Sequence, residues 1–403
     1  MKSKIRYILY FFSMIAGWPA VFCFMGWLPD YKINYIVLLL LSVIVAFLNF
    51  KKKLPSQIVV ISIIQLITFL LYYVIFNDSS YITRCLYLVT TMLLLSIQMQ
   101  QDKTEYVNTN VCWLTLQSVM AGGGFILVLL NLLPAISTFV EFDGHIGTFY
   151  GLFTVNAVYD GKLRVAGFFD EPGAFAFWGI VALLFNKLFI DNKVIEKALI
   201  LGLISTLSMA YFIQLAAYFI LFYHHKMSYL VKYIVLFIGV LLIISSISPE
   251  FNEAIFGRFK INVETGHLNG DNRTELAKTC IAIWKTSPLL GVGAENLIKA
   301  SDSIGFVGAN PFTFFATDGL IGQIVLWLPL FYLCYLGKNR KKYIFAAIVL
   351  FWGYIQRPYD PTQLLYSTTI YMMILEAYRE VYLYPGINRS GMQSNKFLPL
   401  IKW

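Results

Sequence analysis

From Arg164 to Gly179 the chain reads RVAGFFDEPGAFAFWG: one guanidinium, two adjacent carboxylates (Asp170 and Glu171), then an apolar run. Two kinds of work suit these residues. Asp170 can cap the helix that follows, with Glu171 and Pro172 in its first turn, because early helical N–H groups lack internal partners and favour anions. Capping contributes about 0.5–2 kcal/mol and needs one carboxylate, not two. The second kind of work also uses Arg164. Gly167 lets the chain turn and bring the guanidinium beside the carboxylates at a helix N-terminus, a setting suited to a diphosphate. Glu171 or Asp170, partly desolvated there, could then take a proton from a sugar hydroxyl.

Further cations stand where simple charge retention does not put them. The stretch 248–316 holds Arg258 and Arg273, and Arg357 lies in YIQRPYDP between two late apolar runs. The ordinary readings are weak salt bridges with Glu253, Glu264 or Glu275 and an interfacial arginine laying its stem on apolar surface. The functional reading is a second set of donors for an anionic headgroup. Leu276, Cys280, Ile283 and Trp284 recur at helical spacing, which predicts an amphipathic helix from near Arg273. It would lie on the membrane surface or against other helices and stop at Pro288 and a flexible GVG, Gly291 to Gly293. His267 has no ligand-spaced partners, and Asn310 with Pro311 suits a turn before the next helix.

The elements that must hold these residues are membrane helices. The 403 residues are 58% hydrophobic and 13% charged, with mean hydropathy +0.68, roughly half the charged share of a soluble domain. Apolar runs recur near 7–27, 35–50, 57–76, 84–98, 110–133, 172–189, 196–208, 209–224, 229–247, 317–336, 343–355 and 362–378. They predict an all-α polytopic membrane protein, a single transmembrane domain over 1–403 with about 12 spans (roughly 10–12). Two long external loops, 134–171 and 248–316, interrupt it.

Lysines at Lys51 to Lys53, Lys193, Lys197, Lys226, Lys232 and Lys338 to Lys342 sit in short loops, a positive-inside pattern that accounts for the net charge of +9 without nucleic acid. The same rule splits the run Ala198 to Tyr223 near TLSM, Thr206 to Met209, which puts both long loops outside and both termini in the cytoplasm. The first run lacks a small-residue cleavage site and reads as a retained helix. The five cysteines are scattered and imply no disulfide framework.

Arg164, Gly167, Glu171, Pro172 and Gly173 form an RxxGxxxEPG pattern that resembles bacterial O-antigen and capsular polysaccharide polymerases. The later NRTELAKTCIAIWKTSPLLGVG, followed by AN before an apolar helix, is similar to the second characteristic region of the wider O-antigen ligase and polymerase family. The resemblance covers roughly residues 130–335. It implies a multi-pass glycosyltransferase of the bacterial cytoplasmic membrane, with two large periplasmic loops, acting on glycan carried by undecaprenyl diphosphate without metal or other cofactor. Arg164 matches the first-loop arginine thought to hold the diphosphate; Arg258 and Arg273 are the second-loop candidates, and Arg357 could serve the same cavity. Expected partners are the lipid-linked donor and acceptor glycans, membrane lipids and a chain-length regulator protein. The ligase branch usually carries a histidine before the asparagine ahead of the late span, where this chain has Ala309 before Asn310. That departure favours polymerase over transfer to lipid A core, or else leaves proton acceptance with Glu171. A flippase would instead want ionisable groups buried near the midplane of several spans.

Overall fold

The structure, a computed structural model, describes residues 3–17, 21–49, 52–101, 104–140, 146–157, 163–224, 273–297, 310–356 and 362–384, with isolated helical positions at 235, 239 and 299. It is a polytopic α-helical membrane protein. In chain order the helices are α1 (Ser3–Ala16), the single turn α2 (Val21–Phe24), α3 (Tyr31–Asn49), α4 (Ser56–Phe76), α5 (Ser80–Met99) and α6 (Glu105–Leu129). After a small sheet come α7 (Pro172–Phe185), α8 (Lys193–Leu203), α9 (Met209–Tyr223), α10 (Arg273–Thr286), α11 (Thr313–Leu336), α12 (Lys342–Gln356) and α13 (Leu364–Tyr378). Among the described residues, five helical stretches are long and apolar enough to cross a membrane: Ser56–Phe76, Ser80–Met99, Glu105–Leu129, Pro172–Ile190 and Thr313–Leu336. Lys32–Leu48, Met209–Tyr223 and Lys342–Gln356 are shorter apolar helices.

Helix α7 is the axis of the bundle. Every residue from Pro172 to Phe185 is buried, as expected of a helix that is apolar all round. The opposite extreme is the outer ring, where Leu40, Ile44 and Phe47 of α3 and Val60, Ile67 and Val74 of α4 are exposed. An apolar exterior without charge is what a hydrocarbon solvent selects. Between ring and axis, hydroxyl pairs join helices: Tyr35 with Thr90, Thr91 with Thr368, and Tyr106 with Thr369, at 3.0–3.2 Å. Pro329 lacks the N–H that would bond the carbonyl four residues earlier, and Gln65 donates to that carbonyl, Val325 O, at 3.1 Å.

A group of ion pairs gathers at one end. Arg6 forks onto Glu105 at 2.6 and 2.7 Å, Arg379 pairs with Glu376 at 2.9 Å, and Lys342 reaches Leu188 O at 2.9 Å. Glu196 accepts from Lys193, Tyr218 and Tyr223. These contacts tie the start of α8 to the end of α9, so the two helices form an antiparallel hairpin whose bend lies at the far end. The bend is a 3-10 turn, Ile204–Thr206, followed by Leu207 in the left-handed region at φ 48°, where the split at TLSM is expected. Helices α6 and α8 touch backbone to backbone there: a Cβ on Gly202 would stand 2.2 Å from Ser118 O, and one on Gly122 3.1 Å from the Cα of Gly202.

The structure departs from the sequence reading in particular places. The run 7–27 is not one helix: α1 ends at Ala16, Gly17 turns against Leu365, and α2 follows. Loop 134–171 carries a three-stranded antiparallel sheet, β1 (Ser137–Val140), β2 (Ile146–Phe149) and β3 (Val155–Ala157), in the order β1-β2-β3. Loop 248–316 is described only from residue 273, and the run 229–247 lies outside the described residues apart from positions 235 and 239. The amphipathic helix is present as α10, packed on α11.

Candidate functional site at the mouth of helix α7

The segment 164–171 is held by backbone hydrogen bonds from several directions. Val165 N donates to Ser205 O at 3.2 Å, Ala166 N to Val155 O at 2.8 Å, and Phe168 O accepts from Val21 N at 2.9 Å. Gly167 adopts φ +65°, and a Cβ there would lie 3.0 Å from Gln117 Oε1 and 3.1 Å from the Phe175 ring. Gln117 Oε1 itself accepts from Phe168 N at 3.2 Å. The dihedral favours glycine, and a larger residue would press on both neighbours. The turn then feeds α7, whose N-cap is Glu171, not Asp170: Glu171 is extended (φ −138°, ψ 152°), Pro172 takes the first helical position, and Glu171 O accepts from Ala174 N and Phe175 N. No side-chain cap bond forms; the cap is backbone only.

Arg164 is buried, 8% exposed, and its Nε donates to Thr206 O at 3.3 Å. Thr206 ends the 3-10 extension of α8, so the guanidinium faces a helix C-terminus, which favours a cation. Asp170 and Glu171 are half-buried on the rim above α7. The mouth of α7 thus gathers a buried guanidinium, the bend between α8 and α9, and two carboxylates on one short stretch of chain. Arg258 and Arg357 lie outside the described residues, as do His267 and Ala309; of Arg273 only the backbone is described, as the first residue of α10. Asn310 is buried and forms a turn, its Oδ1 accepting from Phe312 N at 2.9 Å and its Nδ2 donating to Cys280 Sγ at 3.2 Å.

A second polar centre was not read from the sequence. Helix α11 is broken at Gly319 (φ 60°, ψ −168°). The backbone groups freed by the break are taken up by the stretch 288–293: Val292 N and Gly293 N donate to Ala316 O and Thr317 O at 2.9 Å, while Leu320 N and Ile321 N donate to Pro288 O and Leu289 O at 2.9 and 3.1 Å. The GVG therefore clasps the break and is not a free hinge. A Cβ on Gly291 would stand 2.3 Å from Thr317 O. Beside the break, Arg84 Nη1 meets Asp318 Oδ1 at 2.9 Å, Tyr81 donates to the same oxygen at 2.8 Å, and Tyr72 donates to Asp318 O at 2.7 Å. Arg84 also lies over the Tyr81 ring, 4.9 Å from its centroid. Its sequence signals were an arginine near the start of α5 and an aspartate before glycine inside an apolar run.

The clasp is pinned from outside by Asp78, between α4 and α5, whose Oδ2 accepts from Glu295 N at 2.9 Å and whose Oδ1 accepts from Ser80 N at 2.9 Å. Burial alone would raise the Asp78 carboxyl, but the hydrogen bonds from Glu295, Ser80 and Ala294 outweigh it and hold the group below its ordinary value.

A small pocket lies between α4, α11 and α13, lined by Gln65, Phe69, Trp327, Thr362, Tyr366 and Tyr371 among others; Arg164 does not line it. A second small pocket is lined by Phe168 and Phe169 together with Trp113 and Trp178. Among the described residues no group of three or more His, Cys, Asp and Glu side chains comes together. No family model matches this chain, and neither a curated protein nor a solved structure matches it.

Proposed function

We propose that this chain is a membrane glycosyltransferase that joins undecaprenyl-diphosphate-linked oligosaccharide repeats into O-antigen, capsular or exopolysaccharide chains at the outer face of the bacterial cytoplasmic membrane. In this reading the bundle has about 12 spans, both termini are cytoplasmic, and loops 134–171 and 248–316 face outward. The observation that carries it is the fold of the RxxGxxxEPG stretch: Arg164 buried at the end of the bundle opposite the lysine-rich one, with Asp170 and Glu171 half-buried on the same rim.

The growing chain on its lipid diphosphate is the donor, and the terminal sugar of a new repeat is the acceptor. A glycosyl diphosphate already has a good leaving group, so the enzyme's tasks are to hold developing negative charge and to align the acceptor hydroxyl. Arg164 supplies the charge from the first loop; Arg258, Arg273 and Arg357 are its proposed companions. Glu171, with Asp170 beside it, takes the hydroxyl proton as the new glycosidic bond forms and the diphosphate leaves. A chain-length regulator is the proposed protein partner.

Incubation of purified protein with lipid-linked repeat alone tests this. A ladder of longer lipid-linked products is expected. Transfer only to an added lipid A core acceptor would make the protein a ligase. The break in α11 favours one further reading, a lipid-linked saccharide flippase; movement of lipid across vesicles without any ladder would establish it in place of the polymerase.

A further inference from the structure

The sheet of the first long loop presents an unusual outer face. Its inner face is ordinary: Phe139, Phe149 and Val155 point one way and close over Val21, Phe24 and Ala166, with Phe139 lying flat on Gly147 and stacked on Phe24 at 6.1 Å. The residues between them face away. Val140 and Ile146 are cross-strand partners, 63% and 56% exposed, next to the pair Thr138 and Thr148. Ile136, just before β1, is 63% exposed. The described side chains on this face are β-branched and uncharged, with the backbone of Asn156 beside Thr148 in the third strand, a make-up that water does not select for an open surface.

The chain that leads into the sheet is exposed and apolar as well. On α6, Leu116, Val119, Gly123, Ile126 and Leu129 are exposed at steps of three and four residues, one stripe down the helix. Leu130 and Leu132 continue it past the helix end at 62% and 67% exposure, and the chain then enters Ile136 and β1. A stripe of this kind on a membrane helix faces lipid. Trp27, 58% exposed, packs edge-on against Phe149 at 5.5 Å, the placement expected of an aromatic at the level where acyl chains meet headgroups.

We propose that the outer face of this sheet rests on the outer leaflet, with Ile136, Val140 and Ile146 in contact with the upper acyl region of the lipids. The sheet lies face down, because strand edges carry backbone N–H and C=O groups that hydrocarbon cannot satisfy. Since Ala166 N bonds Val155 O on the inner side, the sheet fixes the Arg164 segment at a set height above the lipid. The proposal concerns the surface and holds whether or not the chain polymerises glycan.

The test uses full-length protein with its native cysteines replaced, carrying Val140→Cys or Ile146→Cys labelled with an environment-sensitive fluorophore. The protein is reconstituted into phosphatidylethanolamine–phosphatidylglycerol vesicles with or without acyl chains brominated near the headgroup. Expected are blue-shifted emission, loss of emission in the brominated vesicles, and protection from aqueous iodide. A further Ile146→Asp change should abolish the bromine quenching at Val140→Cys. Quenching by iodide with none by bromine would overturn the proposal, as would protection from both together with energy transfer between labels on two copies of the chain.

Discussion

Arg164 and Arg84 are both guanidiniums near the mouth of the bundle, yet they have different surroundings. Arg84 is locked between Asp318 and the Tyr81 ring, whereas Arg164 spends its Nε on a helix-end carbonyl. Replacing Arg84 by Ala would strand a buried carboxylate, so a loss of about 3–5 kcal/mol is expected, seen as a lower thermal midpoint in detergent. The pair Arg84→Met with Asp318→Leu should recover most of that loss. Arg164→Lys keeps the charge and loses the planar fork. In the proposed reaction it should slow ladder formation by about 10²–10³-fold, the effect of removing one donor to a developing anion, with little change in thermal midpoint. Glu171→Gln should slow the same reaction while leaving the backbone cap of α7 in place, because that cap uses Glu171 O and not its side chain.

At the scale of elements, the break in α11 is the most constrained piece of backbone. Gly319 sits at φ 60°, ψ −168°, a region essentially closed to other residues, so Gly319→Ala should cost about 1–3 kcal/mol from the dihedral alone, with further loss from contact with Leu289 O. The Asp78 pin gives the clasp a pH dependence. Its folded carboxyl is depressed, so its stabilisation is complete above the unfolded value and vanishes as pH falls through the folded one. The gap in thermal midpoint between the native chain and Asp78→Asn should therefore be open at neutral pH and close below about pH 3.9.

These elements also show what a single sequence can disclose. Gly167 before the carboxylates, the split at TLSM and helix α10 were all readable, because each has a local cause: a turn residue, a charge rule, a helical period. The sheet was not, since its strands are three or four residues long and show too few alternations to register as a period. The clasp was not readable either. It joins residues 288–293 to 316–321 by backbone alone, and backbone bonding leaves little mark on residue type beyond the glycines.

For the whole molecule, the decisive measurement is sidedness. The charged end collects Arg6, Glu105, Lys193, Glu196, Arg379 and Glu376, and the bend at Leu207 lies at the other end beside Arg164. Single cysteines at Lys285 and Asp170 should react with membrane-impermeant thiol reagent from outside intact cells once the outer envelope is opened, and one at Lys197 should not. Reaction of Lys197 and protection of the other two would invert the topology and remove the proposed reaction from the periplasmic face.

The contact between Gly202 and Ser118 has a bearing on regulation by mutation. A single methyl added at Gly202 meets main chain, not a yielding side chain, so α8 can accommodate it only by moving off α6 as a unit. The carbonyl that Arg164 grips rides at the tip of α8. One methyl placed between α6 and α8, four residues before that carbonyl, would thus detune the rim, leaving every rim residue unaltered.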